Sequence, residues 1–92
     1  MEFFWDPKKA MQNYKKHRVT FEEATLIFRD PKLLEELDTH NHDRLNLIGL
    51  AYRLLFVVCI DISEEDRGTF RIISARKATV KEKRRYAKNA KK

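Results

Sequence analysis

Two hydrophobic periods alternate along this chain, one helical and one extended. Glu2-Phe3-Phe4-Trp5 is short and aromatic and suits an opening strand, after which Asp6-Pro7 supplies an N-cap and a proline at the first helical position. A first helix is expected from Pro7 to about His17. Ala10, Tyr14 and His17 fall on one stripe with Met11 beside it, while Lys8, Lys9, Lys15 and Lys16 lie largely elsewhere. Thr20-Phe21-Glu22-Glu23 is a capping box and opens a second helix with Phe21, Ala24, Ile27 and Phe28 on its apolar face. Asp30-Pro31 ends that helix, because the residue before proline disfavours helical geometry.

From Leu33 the pattern changes to short apolar runs, Leu33 to Leu37, Arg44 to Leu50, Leu54 to Ile60 and Phe70 to Ala75, which read as strands. The breaks between them, Asp38 to Asp43, Ala51 to Arg53 and Ser63 to Gly68, are short and favour antiparallel neighbours. The run at 54–60 is apolar on both faces and belongs mid-sheet. Thr79-Val80-Lys81-Glu82 is a further capping box and opens a last helix to about Asn89, anchored by Val80, Tyr86, Ala87 and Ala90 alone. The expected class is α+β in one domain over residues 1–92, with a basic C-terminal helix or tail at about 79–92.

Composition sharpens this picture in two ways. The 92 residues, 42% hydrophobic with only two glycines and two prolines, can build a core, although one of modest stability. The single cysteine lies in the run Leu54 to Ile60, where a buried, inert thiol is the expected role. That run is far too short to span a bilayer and no signal-peptide pattern is present, so a cytoplasmic protein without a membrane partner is expected.

The net charge of +6 is unevenly distributed. Residues 71–92 hold ten Lys/Arg against one acid, residues 1–19 hold five against two, and residues 20–70 hold five against eleven. Basic ends around an acidic middle suit a polyanion, since each Lys or Arg that neutralises a phosphate releases condensed counterion.

Several chemistries are absent: there is no Gly-rich phosphate loop, no zinc-spaced cysteine cluster and no nucleophile elbow. Asp38-x-His40-x-His42 could point three ligands one way in an extended segment, but its turn-like setting favours a solvated loop, and no metal or cofactor is expected. The remaining constellation is Arg71-Ile72-Ile73-Ser74-Ala75-Arg76-Lys77-Ala78-Thr79, a strand running into a helix N-terminus. Arg71 is expected on one face of the strand, and Arg76, past its end, can reach toward the capped helix. RNA can be cleaved without metal when its own 2′-hydroxyl attacks the adjacent phosphate, given a base, an acid and cations on the phosphorane. Arg76, Lys77 and Arg71 fit the cationic role, and Glu82, Tyr86 or His17 could transfer protons. Each of these three also has an ordinary structural role: Glu82 closes the capping box, Tyr86 packs the last helix, and His17 ends the first.

At these residues the chain resembles the BrnT toxins, a branch of the RelE-like ribonucleases of bacterial type II toxin–antitoxin pairs. The resemblance is carried by Phe4 to Lys8, Asn13, Lys16-His17, Val19 to Ala24, Phe28, Asp30-Pro31, Arg44 and Gly49. It closes on Arg71 to Thr79 with Glu82, Arg85 and Tyr86, the most specific segment. It implies a compact antiparallel sheet flanked by two N-terminal helices and one C-terminal helix, an endoribonuclease that inhibits translation and growth, and an RNA substrate. A BrnA-type antitoxin is the implied partner, with operator DNA bound only through the antitoxin complex. At positions that match the family's motif, Arg44, Arg71, Arg76 and Lys77 are expected to meet RNA phosphate and transition-state charge, and Lys81, Arg84 and Arg85 are further RNA-binding candidates on the last helix. Glu82, Tyr86 and His17 follow for proton transfer or positioning. Two departures stand out: Arg18 where the family usually has glycine, expected to distort the exit of the first helix, and Leu50 to Arg53 without the usual turn glycine. The competing expectation is a non-catalytic module that binds nucleic acid or the antitoxin.

Overall fold

The computed structural model describes residues 1–65 and 67–91. Its strands are β1 (Glu2–Phe4), β2 (Leu34–Leu37), β3 (Leu45–Leu50), β4 (Leu54–Asp61) and β5 (Thr69–Lys77), and its helices are α1 (Pro7–His17), α2 (Phe21–Thr25) and α3 (Val80–Ala90). The strands form one sheet in the order β1-β5-β4-β3-β2, which puts the doubly apolar β4 at the centre. β2 to β5 are joined by short connections and pair antiparallel. β1 joins the outer edge of β5 in parallel, Phe3 opposite Phe70, so the sheet is mixed.

One face of the sheet carries the core. Val19, Phe21, Ala24 and Ile27 from the α1–α2 region pack on Leu47, Leu55, Val57, Cys59, Ile72 and Ala75. Phe21, Ile27 and Leu55 are fully buried, and burial of such a side chain contributes roughly 1.5–3 kcal/mol. Gly49 lets this layer close: a Cβ there would lie 2.8 Å from Ile27 Cβ and 2.8 Å from Leu33 Cδ1. Phe3, Phe28 and Phe70 meet beside it, with centroid separations of 4.8 and 4.9 Å to the Phe28 ring.

The helix ends follow their caps. Asp6 accepts from the Lys8 amide at the start of α1, Thr20 from Glu23 at α2, and Thr79 and Glu82 complete the capping box of α3. The second helical segment tightens into a 3₁₀ turn over Leu26–Arg29 before Asp30-Pro31 stops it.

Three expectations are corrected. In α1 the inward stripe is Ala10, Asn13 and His17; Tyr14 is 44% exposed and Met11 61% exposed, because a polar Asn13 with backbone partners takes the buried position. In α3, Val80 is 63% exposed and Ala87 is also exposed, and the inward positions are Glu82, Tyr86, Asn89 and Ala90. The exit of α1 is not distorted. Arg18 adopts φ 57°, ψ 34°, the left-handed C-cap conformation, and its amide donates to Tyr14 O at 2.8 Å.

Candidate functional site

The second face of the sheet, opposite the core, is only partly covered by α3. Cross-strand register arranges it in rows: Ile48, Phe56 and Arg76; then Asn46, Val58 and Ser74; then Ile60 beside Arg71. Arg71 and Arg76 are five positions apart, and a regular strand would send them to opposite faces. The β4–β5 register shifts between Val58, opposite Ser74, and Cys59, opposite Ile72, leaving Ile73 as an extra residue. This bulge reverses the alternation and puts Arg71, Ser74 and Arg76 on the same face. Arg76 also lies within β5 rather than past its end, since the strand continues to Lys77.

Beside this face, α1 stands along the edge of β5 that β1 leaves free after Arg71. Asn13, 8% exposed, holds it there. Its Nδ2 donates to Ala75 O at 2.8 Å and to Val19 O at 3.0 Å, and the Ala75 amide donates to its Oδ1 at 3.1 Å. Between helix and strand opens a cleft of about 400 Å³ lined by Lys9, Gln12, Asn13, Lys16 and His17 from α1, Ile73 and Ser74 from β5, and Arg44 from the start of β3. Three formal cations and a histidine therefore surround a neutral floor. A second hollow, lined by Glu2, Ile62, Glu64, Glu65, Arg67 and Thr69, is rich in carboxylates and unsuited to a polyanion.

At the other side of the face, Arg76 lies 4.2 Å over the Phe56 ring and forks onto Glu82, with Nη1–Oε1 2.7 Å and Nη2–Oε2 2.9 Å. Glu82 Oε1 also accepts the Thr79 amide at 2.8 Å. Burial pushes the Glu82 carboxyl up, but the hydrogen bonds from Arg76 and Thr79 outweigh it and hold it below the usual value. The Tyr86 hydroxyl donates to Asp30 Oδ2 at 2.6 Å, and burial together with that carboxylate pushes it up to about 12. Asp30 is pulled the other way: burial raises its carboxyl, and Tyr86 with the Leu50 and Lys32 amides more than offsets this. Arg85 forks onto Glu36 at 2.9 and 3.1 Å. Three polar contacts thus tie α3 to Arg76, Asp30 and Glu36, on the face where Ile48 is fully buried.

The predicted residues divide accordingly. His17 and Arg44 line the cleft, and Arg71 and Arg76 share its face. Arg44 and Arg71 have no carboxylate partner among the described residues, whereas Arg76 and Arg85 do. Glu82 and Tyr86 are committed to protein partners. Lys77 falls opposite Leu55, on the other parity from Arg76, and Lys81 and Arg84 are exposed on α3. Lys9, Gln12, Lys16, Asn13 and Ser74 were not singled out as site residues. The lysines read as a solvated helix face, and nothing in the local pattern placed Asn13 inward. Asp38 accepts the His40 and Asn41 amides, as a turn does, and no metal-holding group of three is found among the described residues. Cys59 is buried, and burial with nearby Glu35 and Asp61 pushes its thiol up to about 12. No described helix is long and apolar enough to cross a membrane.

Comparison with curated proteins gives no match. Among solved structures, the 1.1 Å crystal structure of the Brucella abortus ribonuclease toxin, BrnT, is similar in fold, with a TM-score of 0.68 and 22% identity over 86% of this chain and 97% of that one. The family model for the ribonuclease toxin BrnT of type II toxin–antitoxin systems matches residues 5–82, a span that runs from the start of α1 through the β5 bulge to the Glu82 that holds Arg76. The chain therefore belongs to the BrnT family of ribonuclease toxins, whose partners are an RNA substrate and an antitoxin.

Proposed function

We propose that the open face between α1 and α3 binds single-stranded RNA and cleaves it without a metal ion, through attack of the substrate's own 2′-hydroxyl on the adjacent phosphorus. The observation that carries this reading is the convergence of Arg44, Lys9, Lys16 and His17 on one cleft, with Arg71 and Arg76 on the same face. Arg44 and Arg71, free of carboxylates among the described residues, bind the phosphates flanking the scissile one. Arg76, held by Glu82 and supported on Phe56, presents a preorganised charge to the oxygens of the phosphorane. His17 lines the cleft and is the group placed to move a proton between the 2′-hydroxyl and the departing 5′-oxygen. Glu82 and Tyr86 act indirectly: Glu82 orients Arg76, and Tyr86 fixes α3 through Asp30. Lys77 at the end of β5 and Lys81, Arg84 and Arg85 on α3 extend the positive field and steer the polyanion inward.

In this reading the toxin works in the cytoplasm, inhibits translation and growth, and is neutralised by a BrnA-type antitoxin through which alone it reaches operator DNA. The test is cleavage of a defined RNA by antitoxin-free protein in excess EDTA. Products ending in a 2′,3′-cyclic phosphate, lost in Arg44→Ala and Arg71→Ala, are expected. RNA left intact with and without ribosomes overturns the reading.

A further inference from the structure

We propose that Asn13 is a positioning residue for RNA cleavage: its carboxamide fixes the β5 bulge and so sets the spacing between the cations of α1 and those of β5. The inference rests on the open face being the cleavage site. β1 pairs with β5 only as far as Arg71, so the N–H and C=O of Ala75 face an edge with no strand on it. Asn13 fills that place as a peptide unit would, accepting from the Ala75 amide and donating to the Ala75 carbonyl, with its second N–H on Val19 O. The reverse amide orientation would set Oδ1 against two carbonyl oxygens and the NH₂ group against an N–H, so its neighbours dictate the assignment.

This clamp bonds the residue two positions beyond the bulged Ile73. Among the described residues no other side-chain hydrogen bond reaches the outer edge of β5 between Ile72 and Ala75, so without it the strand can return to regular alternation. Regular alternation would turn Arg71 away from the face that Arg76 occupies. The same three bonds seat the middle of α1, from which Lys9, Lys16 and His17 reach the cleft. Asn13 has no donor or proton left for the substrate, so its effect passes through the groups it places.

The experiment joins amide hydrogen exchange to steady-state cleavage of one RNA substrate. In Asn13→Ala, exchange at the Ala75 amide is expected to rise by about tenfold or more relative to amides of β4. The kcat is expected to fall by about tenfold or more while KM stays within about threefold, the signature of displaced reacting groups rather than lost binding. Asn13→Gln keeps every donor and acceptor but shifts them by one methylene, and it carries the same test should Asn13→Ala fail to fold. A kcat unchanged in a folded variant whose Ala75 amide exchanges fast overturns the proposal, as does an Ala75 amide that stays protected. Arg44→Ala and Arg71→Ala run alongside: if they cleave normally, the site reading itself has failed, whereas if they are impaired and both Asn13 variants are not, the failure lies with Asn13 alone.

Discussion

Arg71 and Arg76 stand five positions apart in β5 and share one face of the sheet, because Ile73 is an extra residue against β4. Their charges therefore face the same way and, in the proposed function, act on one strand of substrate. We expect Arg71→Ala to lower the slope of log affinity against log salt by about 0.7 for single-stranded RNA, one phosphate contact's share. Fold stability should change by no more than about 0.5 kcal/mol, since Arg71 is exposed. Filter binding at several salt concentrations measures the slope, and an unaltered slope removes Arg71 from the phosphate path.

The Glu82 carboxyl is held below its ordinary value by Arg76 and the Thr79 amide despite burial. Its folded value therefore lies under its unfolded value. The stability it contributes is complete above about pH 4.3 and disappears as pH falls through the folded value. Glu82→Gln should cost about 2 kcal/mol at neutral pH, where Arg76 loses its charged partner, and should flatten the acid limb of the unfolding curve. Denaturant titrations between pH 3 and 7 check both; a steep acid limb retained in the variant assigns it to other carboxylates such as Asp30.

Gly49→Ala is expected to destabilise the fold by about 1–3 kcal/mol, because the added Cβ meets Ile27 and Leu33 side chains at 2.8 Å. For a chain of this length the melting midpoint should fall by roughly 4–8 °C per kcal/mol. Calorimetry decides, and an unchanged midpoint would mean that the α2 layer shifts without cost.

Arg18→Gly should stabilise the protein by about 0.5–1 kcal/mol. Relief of the left-handed backbone at φ 57° outweighs the greater freedom of glycine in the unfolded chain and the loss of the 5.5 Å stack on Tyr14. A lower midpoint would show the stack to be the stronger effect.

The thiol of Cys59, raised to about 12 by burial and the nearby Glu35 and Asp61, should resist alkylation in the folded protein at pH 8 and react only at the rate of unfolding. Rapid labelling without denaturant would place Cys59 outside the core.

What was legible in the sequence is what local chemistry decides. The start of α1 followed from Asp6-Pro7 and that of α3 from Thr79 with Glu82, because caps act within a few residues. The central place of β4 followed from its two apolar faces. Burial of Asn13 and exposure of Val80 could not be read, since each depends on partners far along the chain: the backbone of Ala75 in one case, and in the other the polar latches that turn Glu82 and Tyr86 inward. The bulge left a trace that went unread: Phe70, Ile72 and Ala75 are apolar and Arg71, Ser74 and Arg76 polar, so the alternation slips by one at Ile72-Ile73, and pairing with β4 shows this slip to be an extra residue. Of the candidate site, the residue types of His17, Arg44, Arg71 and Arg76 are legible in the sequence, but their meeting depends on that bulge and on where α1 lies.

The pairing of Phe3 with Phe70 brings the opening strand against one that the ribosome makes far later. During synthesis β1 has no neighbour to join until Thr69 to Arg71 have emerged, and α1, anchored on Ala75, waits longer still. The walls of the cleft can close only when nearly all of the described chain is free.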